Sequence, residues 1–182
     1  MHQRCKEKRV QVRKRLMAAG VLILYCALFA GCGYRFSGGG SFPSGIKSVF
    51  VEIFENNTSE TGIEQKFTND LIYEITRNGS VNFTARQSAD GIISGVIVSS
   101  STETVSPRGV TAASERRVAV RVDLKLTLSD GKVVWSAKGV TANEAYQVAP
   151  TNQQTEENKR EAIDRISEEL AESVLNRLTS DF

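Results

Sequence analysis

The chain has 182 residues, with 23 Lys plus Arg against 21 Asp plus Glu and a single histidine, His2. Residues 1–31 hold 7 of the cations and 1 of the acids, leaving 16 and 20, a net charge of about −4, so the basicity belongs to one end and is no argument for nucleic acid. His2, Cys5 and Cys26 lie in the same segment, which leaves Cys32 as the one cysteine after it; a Ser-His-Asp triad, a Cys-His pair, zinc sites built from those ligands and an internal disulfide are thereby excluded.

In chain order, Arg4, Lys6, Lys8, Arg9, Arg13, Lys14 and Arg15 lead into an apolar run from Leu16 that closes on Leu28-Phe29-Ala30-Gly31-Cys32. Basic segment, apolar segment and small residues in that order predict a secretory signal over residues 1–31. The run falls short of the roughly 20 residues that a bilayer-spanning helix needs. Ala30-Gly31-Cys32 resembles a bacterial lipobox, and Cys32 is the expected site of lipid attachment. An ordinary signal cut nearby, leaving Cys32 as a free thiol, is the alternative. Residues 32–45 are rich in glycine and serine and read as a flexible tether, followed by a single domain over 46–182.

Lys47–Phe54 alternates as a strand, with Val49, Val51 and Ile53 on one face and Phe50 and Phe54 on the other. Thr61 and Glu64 have capping-box spacing, and Ile63, Phe67, Leu71 and Ile75 predict an amphipathic helix stopped at Asn78-Gly79. Ala89–Ser100, extended to Thr104, is apolar on both faces and reads as a central strand or one whose face meets a partner. Residues 105–115 form a long connection. Val118, Val120, Val122, Leu124, Leu126 and Leu128 alternate up to Asp130-Gly131, read as a two-residue hairpin turn. That turn sets Leu128 opposite Val133, Leu126 opposite Trp135, Leu124 opposite Ala137, Val122 opposite Gly139, Asp123 opposite Lys138 and Arg117 opposite Glu144. Thr151 and Gln154 form a second capping box, and Ile163, Ile166, Leu170, Ala171, Val174, Leu175 and Leu178 stripe a long final helix, which a coiled coil would also explain.

The expected architecture is α+β: a two-layer sandwich in the order β-α-β-β-β-α, with both helices on one face of a mixed four-stranded sheet. The other face keeps Phe50, Phe54 and a polar hairpin surface, a candidate for a protein partner unless the long loop covers it. On that surface Arg121, opposite Val140, and Lys125, opposite Ser136, have charges free for phosphate; Arg108, in the long loop, is the third candidate.

Cys32-Gly33-Tyr34-Arg35-Phe36, the linker, Ile46–Thr58 and the Gly62-Ile63-Glu64 and Phe67-Thr68 helix resemble the LptE family of lipopolysaccharide-assembly lipoproteins. The resemblance implies an outer-membrane lipoprotein on the periplasmic side, and Gly33 after the cysteine resembles lipoproteins released to that membrane. It further implies a plug in a large β-barrel partner, LptD, supporting barrel assembly and lipopolysaccharide passage, with lipopolysaccharide itself as a ligand. No enzymatic activity, metal or cofactor is implied. An oligomerising lipoprotein of another envelope machine is the alternative.

Overall fold

The computed structural model describes residues 42–105 and 115–180. Among the described residues the core starts at Phe42, which is buried with Ile46 on either side of a 3-10 turn, Pro43–Gly45. Val49 and Val51 follow on the inner face of β1 (Ser48–Val51). The start of this strand is held by Asp90, whose carboxylate accepts the N–H groups of Lys47 and Ser48 at 3.1 and 2.9 Å and the Ser48 hydroxyl at 2.8 Å. The hydroxyl bond first, then the two amides, hold the Asp90 carboxyl below the usual carboxylate range.

The predicted strand does not continue unbroken to Phe54. Beyond Val51 the ladder is interrupted: Ile53 turns out to solvent (68% exposed) and Phe54 turns into the core (2%), before pairing resumes in β2 (Glu55–Asn56). The cause lies in the next element. The Phe54 N–H donates to Thr68 Oγ1 at 3.2 Å, and its ring meets Phe67 edge-on with centroids 4.7 Å apart. Burying a phenyl ring with its amide satisfied outweighs continued alternation, so Phe54 does not belong to the outer face.

Ile63, Phe67, Leu71 and Ile75 form the buried stripe of α1 (Ile63–Asn78) as predicted. Gly79, at φ 70°, closes it with its N–H on Ile75 O at 3.2 Å. The Thr61–Glu64 capping box does not form. The N-cap is Gly62 in the left-handed region (φ 87°), with no side-chain cap, and Glu64 instead accepts the Asn56 side-chain amide at 2.8 Å, tying the helix to β2.

The remaining strands are β3 (Asn82–Phe83), β4 (Gly91–Val105), β5 (Glu115–Leu128) and β6 (Val133–Gln147). They give a mixed six-stranded sheet in the order β3-β1-β4-β5-β6, with β2 also beside β4. β1 runs parallel to β3 and β4, β2 runs parallel to β4, and β4, β5 and β6 are antiparallel. The four expected strands become six because the first is divided at Phe54 and the return after α1 adds β3.

The hairpin departs from its predicted register at both ends. Leu128 O accepts the Gly131 N–H and Leu128 N–H donates to Lys132 O, both at 2.9 Å. The loop is therefore three residues, with Gly131 at positive φ (88°), and not the two-residue type I′ turn. Val133 consequently stands opposite Thr127, not Leu128. Leu126–Trp135, Lys125–Ser136 and Leu124–Ala137 pair as predicted, and a bulge then moves every later pair by one. Gly139 sits in it at φ 65°, its N–H donating to Asp123 Oδ1 at 2.7 Å. Val122 thus meets Val140, Arg121 meets Thr141, and Arg117 meets Ala145 and, on its other side, Glu103. Asp123 serves the bulge and does not pair with Lys138. Glu144 pairs instead with Arg165 at 3.2 Å.

α2 (Asn152–Ser180) opens on the predicted cap, with the Gln154 N–H donating to Thr151 Oγ1 at 3.3 Å. Its stripe from Ile163 to Leu178 is buried in the same core as the inner faces of β4, β5 and β6, so the surface a coiled coil would need is already occupied. α1 and α2 lie side by side and run the same way, linked by Lys66–Glu168 (3.7 Å) and Arg77–Glu172 (3.3 Å), while Glu60, just ahead of α1, pairs with Lys159 (2.6 Å). Asp70 joins them as well, accepting both Lys66 and the Ser167 hydroxyl.

Candidate functional site

With both helices on one face, the side chains that alternate away from the core of β5 form the open face. Val118, Val120, Val122, Leu124 and Leu126 are buried, which leaves Arg117, Arg121, Asp123 and Lys125 on the other side. Arg121 and Lys125 are exposed, separated by about 13 Å along the strand, and neither has an ion pair among the described residues. Arg121 is flanked by Ser99 and Thr141, and Lys125 by Ser94 and Ser136. Each cation thus sits between hydroxyls. Arg108 and Cys32 lie outside the described residues.

A shallow concavity of about 370 Å³ opens at Lys125. Lys138 and Ser136 line its β6 side, Ser94 lies on β4, and Glu52 and Glu55 form the β1–β2 rim. Glu52 is paired with Arg86. Lys138 is therefore a further cation of this face that the predicted register hid, because that register paired it with Asp123. The signal was present in β6, where the buried positions change phase at Gly139, from Trp135 to Val140, Ala142 and Tyr146.

The rest of the face is apolar. Phe50 stacks on Phe83 with centroids 6.3 Å apart and stands beside Ile92, which faces Thr127 on β5. Phe83 and Val133 are 42% and 52% exposed. The open face thus offers apolar surface toward β1 and β3 and a row of cations along β5. Guanidinium and ammonium groups between hydroxyls bind phosphate oxygens well. Among the described residues, no group of three or more His, Cys, Asp or Glu side chains is placed to hold a metal ion.

Fold and face together define a two-layer α+β domain with a mixed sheet, helices on one side and a partly apolar, partly cationic face on the other. The chain belongs to the LptE lipopolysaccharide-assembly family, whose model matches residues 46–178. No curated protein matches the chain. Solved structures that share its fold include two lipoproteins. An uncharacterized lipoprotein B from Nitrosomonas europaea is 12% identical, with a TM-score of 0.57 over 82% of this chain and 92% of that one. A minor lipoprotein from Acinetobacter baumannii is 14% identical, with a TM-score of 0.51 over 74% of this chain and 92% of that one.

Proposed function

We propose that this protein is an outer-membrane lipoprotein, acylated at Cys32 and facing the periplasm. It seats in the large β-barrel that exports lipopolysaccharide, supports the assembly of that barrel and assists passage of lipopolysaccharide to the outer leaflet. The family match across the folded domain carries the reading. The open sheet face supports it, since apolar side chains beside unpaired cations suit a barrel wall or a phosphorylated lipid. In this reading residues 1–31 are removed, 32–45 tether the domain, and acyl chains contributing about 0.8 kcal/mol per buried methylene retain it on the membrane.

The test is affinity purification of the full chain from detergent-solubilised envelopes, with mass spectrometry of the mature amino terminus. The expected result is an acylated Cys32 and one large heat-modifiable barrel in equal amount. A ring of identical subunits without a barrel would favour a component of another envelope machine. An unacylated, freely soluble product would sink the membrane assignment.

A further inference from the structure

Half of β4 is interior and half is edge. Over Gly91–Ile97 it lies between β5 and the β1 and β2 strands. The Asn57 N–H on Ile97 O, at 3.0 Å, is the last bond on the β2 side, and among the described residues no strand continues that pairing. Ser99–Val105 is bonded to β5 on one side and, among the described residues, has no strand on the other. Ile93 and Ile97 turn their carbonyls toward β1 and β2. The bulge between Ile97 and Ser99 shifts that parity, so the outward backbone groups of the open half belong to Ser100, Thr102 and Thr104.

Exposed edges are ordinarily blunted by lysine, proline or a bulge. The opposite edge strand, β6, carries Lys138 and the Gly139 bulge. Ser99–Val105 contains neither lysine nor proline, its one charge is Glu103, and the bulge of β4 lies ahead of it, between Ile97 and Ser99. It also holds Ser100 Oγ, the one buried side-chain polar atom among the described residues without a hydrogen-bond partner.

We infer that this edge pairs with the same edge of a second copy of the chain, antiparallel and centred on Thr102. That register sets Thr102 against its counterpart, Ser100 against Thr104, Ser101 against Glu103 and Ser99 against Val105. Hydroxyls meet hydroxyls, a threonine arrives beside the unpartnered Ser100, and no acid faces an acid directly. Each Glu103 keeps Arg117 as its neighbour on β5. The two-fold axis is perpendicular to the sheet, so the helices of both copies share one side and both rows of Arg121 and Lys125 share the other. An edge this short buries far less than the roughly 1,600 Å² of a standard interface. The pair is therefore weak in dilute solution and favoured by confinement. It does not depend on the barrel reading.

Cysteine cross-linking of the purified full chain in detergent micelles tests the register, with the unsubstituted chain as background. Thr102→Cys, folded as judged by its circular dichroism spectrum, is expected to give disulfide dimers several-fold above background under mild oxidation, because facing Cα atoms in such a pair lie about 5.5 Å apart. Ser99→Cys alone is expected to stay at background, its counterpart being roughly 20 Å away. Ser99→Cys mixed with Val105→Cys is expected to cross-link. Adding Thr102→Pro to that mixture removes an outward N–H that β5 does not use, and is expected to abolish the dimer while the fold persists. The inference is overturned if Thr102→Cys stays at background, if Ser99→Cys alone cross-links as readily, or if a folded Thr102→Pro mixture still dimerises.

Discussion

Gly95 lies on the core side of β4 beneath the ring of Phe54, and a Cβ there would collide with that ring and with the Asp123 carbonyl oxygen. The missing side chain is what lets Phe54 leave its strand and reach Phe67. Gly95→Ala is expected to destabilise the domain by about 2–3 kcal/mol through overpacking, read as a lower denaturant midpoint; an unchanged midpoint would show that the ring is not held there. Asp90 acts through charge. Because its pKa is lowered by folding, the stability it contributes is present above the ordinary carboxylate pKa and is lost as pH falls through the lowered folded value. Acid unfolding of Asp90→Asn should therefore be less pH-dependent than that of the parent over that window. Superimposable acid limbs would refute the role.

Among the elements, α1 is placed by polar bonds as much as by its stripe. Thr68 Oγ1 accepts the buried Phe54 N–H while donating to Glu64 O at 2.6 Å, so one hydroxyl joins the helix to the break between β1 and β2. Thr68→Val keeps the shape and strands the amide, which should cost about 1–3 kcal/mol. Equilibrium unfolding measures it, and Thr68→Ser should recover most of the loss. The hydrophobic stripes of α1 and α2 were legible because an apolar residue every third or fourth position has one reading in a chain of this size. The Gly62 cap was not, since Thr61 and Glu64 have the right spacing and only the distant Asn56 diverts Glu64.

For the molecule as a whole, placing both helices on one face leaves Arg121 and Lys125 on the other. If Arg121 and Lys125 engage lipopolysaccharide phosphates, Arg121→Asp with Lys125→Asp should weaken binding at least tenfold, given about 1.5–3 kcal/mol for each charge-assisted bond. The measurement is titration of the purified chain with lipopolysaccharide, alongside a thermal melt to establish folding. Lys138→Asp should add to the loss, since it lines the same concavity as Lys125. Equal affinity in parent and double variant would remove these cations from the ligand surface.

Local periodicity and turn residues established the helices, the β5–β6 hairpin and the helical stop at Gly79, because each depends on neighbours within a few residues. The identity of the open-face cations on β5 followed from the same alternation. Tertiary structure decided the rest. Phe54 abandons its strand only because Thr68 and Phe67 await it, and Lys138 is released because Asp123 is claimed by the Gly139 amide. Among the described residues, β4 has no second neighbour beyond Ile97 because β2 ends at Asn56. These outcomes are competitions between partners distant in sequence, and alternation along one strand carries no information about who wins them.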